Sequence, residues 1–88
     1  MDVTDLIVKV NTITTSDRDN ICKFYTGLCS VSDELRNVIP IDTGLYENYE
    51  LQKQCVYSEI RHGDGIYDDI VMDDCIYSLN QMINYLYL

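Results

Sequence analysis

The sixteen residues Val56-Tyr57-Ser58-Glu59-Ile60-Arg61-His62-Gly63-Asp64-Gly65-Ile66-Tyr67-Asp68-Asp69-Ile70-Val71 decide the fold. Asp-Gly between two apolar runs is a strong hairpin signal. On that reading Val56–Arg61 and Ile66–Val71 are strands around His62-Gly63-Asp64-Gly65. The helical reading is set by what lies upstream. Leu45, Tyr49, Val56 and Ile60 fall within one face at 100° per residue, with Leu51 and Cys55 beside them. His62-Gly63 then serves as a C-cap and Gly63-Asp64-Gly65 as a tight turn. The expected fold is all-α: a compact bundle of about five short helices with a long amphipathic C-terminal helix. The alternative is α+β, with a hairpin around residues 56–71 and the first segment as a third strand.

Downstream, Met72, Cys75, Ile76, Leu79, Met82, Ile83 and Leu86 recur at helical spacing over four to five turns. Asp73, Asp74, Tyr77, Asn80, Gln81 and Asn84 occupy the opposite face. Upstream, Gly27, Pro40 and Gly44 punctuate the chain. Val3, Leu6, Ile7, Val10 and Ile13 have helical spacing, although the β-branched run from Ile7 to Thr14 favours a strand. Thr15-Ser16-Asp17 supplies N-cap candidates for a helix carrying Ile21, Phe24, Tyr25 and Leu28. A third short helix is expected after Ser32, burying Leu35, Val38 and Ile39, and Pro40 stops it.

Length and charge bound the function. The 88 residues suit one small acidic globular domain, residues 1–88. The formal charge of -9 opposes direct contact with nucleic acid or an anionic membrane. The longest uncharged stretch, Cys75 to Leu88, is 14 residues, short of the roughly 20 apolar residues of a membrane span. No secretory signal is visible. The four cysteines, Cys22, Cys29, Cys55 and Cys75, are therefore expected as reduced, mostly buried thiols of a cytoplasmic protein.

Chemistry is sparse. His62 is the single histidine. Cys55 precedes it by seven residues, about 10 Å along a helix and too far for a direct hydrogen bond. No Cys-x-x-Cys, glycine-rich phosphate loop or carrier-protein attachment serine occurs. The stretch from Asp64 to Asp69 fails the calcium-loop template, because Asp69 stands where glycine is required. Tyr57-Ser58-Glu59-Ile60 and Tyr67-Asp68-Asp69-Ile70 match the spacing of phosphotyrosine motifs, yet on a helix such pairs are ordinary neighbours. We expect no enzymatic activity, cofactor or metal.

Charge distribution is the unusual feature. From His62 onward there are five acids and no lysine or arginine, whereas residues 1–61 hold ten acids and six bases. A helix dipole accounts for Asp68 and Asp69 but not for Asp73 and Asp74 a turn later. Tyrosine supplies eight of the nine aromatics, and it is a residue of recognition surfaces. The expected partner-binding residues are Asp64, Asp68, Asp69, Asp73, Asp74, Tyr67 and Tyr77. They suit a module that docks on a basic surface of a larger protein, such as a nucleic-acid-binding protein, and inhibits it by charge mimicry. In size and charge the chain is similar to small phage or viral antagonists of the acidic anti-restriction and anti-CRISPR kind, a similarity of profile without a shared motif. The alternative is a homotypic adaptor or signalling decoy of the death-fold type, for which Leu35, Val38, Leu45 and Tyr46 are loosely spaced. Tyr85, Tyr87 and Leu88 would give an apolar end able to bury itself in a homodimer.

Overall fold

The computed structural model describes residues 3–87. Within them lie α1 (Thr4–Thr15), α2 (Ile21–Val38), α3 (Leu45–His62) and α4 (Asp68–Tyr87). Single 3-10 turns, Asp17–Asp19 and Ile41–Thr43, precede α2 and α3. No strand occurs among the described residues, so the fold is all-α. The hairpin around residues 56–71 is not formed. Asp64 does make a turn, its Oδ1 accepting from the Ile66 N–H at 3.2 Å, and Gly65 has φ 93°. That turn joins two helices, because Val56 is held in the core by the stripe it shares with Tyr49.

Four α-helices replace the expected five, and the difference lies in α2. Gly27 does not interrupt that helix. It lets α1 approach, for a β-carbon at Gly27 would stand 2.7 Å from Ile13 Cγ1. Ser32 does not start a new helix either. Its hydroxyl is buried and bonds back to the Leu28 carbonyl at 2.8 Å. The N-cap of α2 is Asn20, whose side chain accepts from the Cys22 and Lys23 N–H groups at 3.0 and 3.2 Å. The expected caps lie elsewhere: Thr15 donates to the Asn11 carbonyl in the last turn of α1, Ser16 is the C-cap of that helix, and Asp17 opens the 3-10 turn. Ile39, extended before Pro40, ends α2 as the sequence implies. At 20 residues α4 is little longer than α2 and α3, at 18 each.

Consecutive helices run antiparallel. Lys9 pairs with Glu34 at 2.7 Å, Tyr49 reaches Leu28, and Asn48 donates to Ser78 at 2.9 Å. The apolar faces meet in one core. It contains Leu6, Val10 and Ile13 from α1, and Phe24, Leu28, Val31 and Leu35 from α2. Tyr49 and Val56 come from α3, and Met72, Cys75, Leu79, Met82 and Ile83 from α4. Each such side chain contributes about 1.5–3 kcal/mol by leaving water. Because α3 fully buries only two of its residues, a polar contact helps fix its register. The Tyr49 hydroxyl donates to the Leu28 carbonyl at 2.8 Å and lies 2.8 Å from Ser32 Oγ. Burial holds the Tyr49 phenol protonated well above its ordinary range.

The thiols depart from expectation. Only Cys75 is buried; Cys22, Cys29 and Cys55 are exposed. They lie off the apolar stripes of α2 and α3, which Phe24, Leu28, Tyr49 and Val56 fill. Burial pushes the Cys75 thiol up to about 12.

Candidate functional site

The turn after α3 and the first half of α4 carry every sequence-predicted site residue. Asp64 and Tyr67 sit in the turn; Asp68, Asp69, Asp73, Asp74 and Tyr77 sit in α4. Asp68 and Asp69 occupy its first turn, where unpaired N–H groups favour carboxylates. All seven are exposed except Asp68, which is half-buried.

The acidic block is not uncompensated, which corrects the sequence reading. Arg18, from the turn between α1 and α2, bonds Asp73 through Nε at 3.0 Å and also through Nη2. Its Nη1 lies 3.7 Å from Asp69. The Asp73 hydrogen bond raises the Arg18 pKa further. Fifty-five residues separate Arg18 from Asp73, so no local pattern marks the pair. It ties the N-terminal turn to α4.

The predicted cluster therefore divides. Asp69 and Asp73, four residues apart, share the side of α4 that meets Arg18. Asp74 lies about 100° further round. There it stands beside Ile70 and Tyr77, which are seven residues apart and so almost in line along the helix. Ile70 and Ile66, both exposed, complete a surface that the sequence reading missed. The available signal was the Ile70–Tyr77 spacing, displaced from the buried stripe by half a helix circumference. At the C-terminal end Tyr85 and Tyr87 are exposed, Tyr87 the more so; Leu88 lies outside the described residues.

Other surfaces offer less chemistry. An apolar cleft of about 330 Å³ lies between α2 and α3, lined by Arg36, Ile39, Ile41, Tyr46 and Glu47. Burial, and then a 2.6 Å hydrogen bond to Glu50, push the Tyr46 phenol up to about 12. Lys53 Nζ lies 3.0 Å from Ser32 Oγ, the composition of a Ser–Lys pair. That hydroxyl is buried and engaged with both Leu28 and Tyr49, so it braces the helices instead of facing a substrate. Among the described residues no group of three or more His, Cys, Asp or Glu side chains is placed to hold a metal ion. Among them, too, no helix is long and apolar enough to cross a membrane.

No protein-family model, curated protein or solved structure matches the chain. The functional reading therefore rests on the surface itself.

Proposed function

We propose that the chain is a non-enzymatic protein-binding module. It docks the outer face of α4 and the preceding turn on a basic surface of a larger protein. One observation carries this reading. Ile66, Tyr67, Ile70 and Tyr77 are 71, 55, 56 and 65% exposed within twelve residues, with Asp64 just before them and Asp74 among them. Large apolar side chains grouped on a surface and rimmed by charge mark interaction sites. The partner's chemistry follows from the charge: -9 overall, with no lysine or arginine beyond Arg61. The acids steer encounter with a basic partner, and the desolvated tyrosine and isoleucine contacts set the residence time. If the partner's basic surface is its nucleic-acid groove, occupancy inhibits it by competition.

The test compares variants in capture of a partner from a cell lysate over a salt series. Ile70→Ala and Tyr77→Ala are each expected to lower retention about fivefold or more, as hot-spot truncations do. Val8→Ala and Leu51→Ala, at comparably exposed positions on other helices, are expected to leave it within about twofold. Retention should fall as salt rises. Equal retention by the Ile70→Ala/Tyr77→Ala double variant, or indifference to salt, refutes the proposal.

A further inference from the structure

The end of the bundle where α2 turns into α3 carries the most exposed large apolar side chain among the described residues. Ile41 stands 82% exposed in the 3-10 turn Ile41–Thr43. That turn is pinned. The Thr43 hydroxyl donates to the Pro40 carbonyl at 2.7 Å and accepts from the Leu45 N–H at 3.2 Å, and Gly44 closes it at φ 72°. Ile41 therefore projects from fixed backbone, with little loop freedom left to lose on binding.

Beside it opens the apolar cleft of about 330 Å³. Ile39 is buried and Tyr46 half-buried along it. Its two walls carry opposite charges, Arg36 on α2 and Glu47 on α3, both exposed. They are not paired with each other. Arg36 bonds Asp33 on its own helix at 3.2 Å, an exposed pair that holds it weakly. Glu47 makes no ion pair among the described residues. One small patch thus holds a projecting apolar side chain, an apolar hollow and charge of both signs. A different partner would need only the complement of these features. Identical copies need each feature and its complement on the same patch.

We infer that this cleft is the contact surface of a two-fold symmetric dimer of the chain. An axis running along the cleft lays the α2 wall of one copy over the α3 wall of the other. Arg36 then faces Glu47 of the second copy, and the same pair recurs across the axis. Ile41 of each copy enters the hollow of the other, against Ile39 and Tyr46. The dimer does not depend on the docking face, whose opening turn lies at the opposite end of the bundle and stays uncovered. A contact centred on one cleft is small, and a Kd of about 100 µM is expected.

Sedimentation equilibrium tests it at about 10 µM to 1 mM protein, with salt at about 0.15 M to screen the repulsion between two chains of -9. The parent is expected to pass from monomer to dimer over that range. Ile41→Ser should weaken the dimer about tenfold, and Leu51→Ser, at an exposed position of α3, should leave it within about twofold. Circular dichroism checks that each variant keeps its helical content. Arg36→Glu and Glu47→Arg should each weaken the dimer about tenfold, since each sets like charges opposite one another. Mixed together, these two variants should form a heterodimer within about threefold of the parent, because one pair is then native and the other reversed. A parent monomeric at every concentration, an Ile41→Ser dimer of parental strength, or a mixture no tighter than either variant alone overturns the inference. Ile70→Ala/Tyr77→Ala should keep the dimer while abolishing partner retention, so the two readings fail separately.

Discussion

Replacing Gly27 by alanine sets two effects of known size against each other. In an exposed helix interior the change stabilises by about 0.5–1 kcal/mol, because glycine loses more backbone freedom on folding. Gly27 sits in the seventh position of α2, so that gain applies in full. The new β-carbon, however, would stand 2.7 Å from Ile13 Cγ1 and 3.2 Å from both Ile13 Cδ1 and Asp17 Oδ2. Carbon atoms in contact sit about 3.5–4.0 Å apart. Ile13 cannot swing clear, since it is 2% exposed and belongs to the core. Forcing an extra methyl into such a site costs about 1–3 kcal/mol. The net expectation is a loss of about 1 kcal/mol, a fall in Tm of about 4–8 °C for a domain of this size. Urea unfolding followed by circular dichroism measures it. Ile13→Ala supplies the second arm of a double-mutant cycle. Alone it should cost about 2–5 kcal/mol; in the Gly27→Ala background it should cost about 2 kcal/mol less, because the clash, the net loss plus the offset helix gain, is removed with the side chain. A Gly27→Ala protein more stable than the parent, or strictly additive variants, refutes the close approach of α1 to α2.

Two further outcomes follow from the thiols and phenols. A disulfide-exchange reagent should modify Cys22, Cys29 and Cys55 rapidly in the native protein and Cys75 only on global unfolding, which mass spectrometry of the labelled peptides resolves; native labelling of all four at one rate contradicts the placement of Cys75. The Cys75 contribution to stability should be constant below about pH 9 and fall from there toward pH 12. The unfolded chain releases the Cys75 proton near 9.0 while the folded thiol holds it to about 12, so rising pH favours the unfolded state by about 3–4 kcal/mol at the upper limit. The raised Tyr49 and Tyr46 phenols act in the same direction above pH 10. Cys75→Ala should make the first part of that decline shallower in urea titrations across the range; an identical slope assigns the effect elsewhere.

What the sequence made legible was whatever a helix shows locally. The spacing of Met72, Cys75, Leu79, Met82 and Ile83 identifies the buried face of α4, and Pro40 marks the end of α2. What escaped depended on the neighbouring helix. Gly27 and Ser32 carry break-like chemistry, yet one makes room for Ile13 and the other bonds Leu28 and faces Tyr49. Asp64-Gly65 reads as a turn and forms one, but turn chemistry does not determine what flanks it. The acids of the candidate site were found from composition. Their division by Arg18, and the exposure of Ile66 and Ile70, required the tertiary arrangement.

The antiparallel succession of helices bears on how quickly the chain reaches its native state. Contacts fall mainly between α1 and α2, α2 and α3, and α3 and α4, so most of them close short loops. Topologies of low contact order fold in microseconds to milliseconds. The packing of α4 on α1 and α2 spans longer stretches, and at the surface Arg18 with Asp73 reaches across 55 residues. Formed late and at the surface, that pair would add little to the barrier and act mainly on the rate at which the ends of the bundle part again. The residue that tempers the acidic face would thus also serve as a clasp on the unfolding side of the landscape.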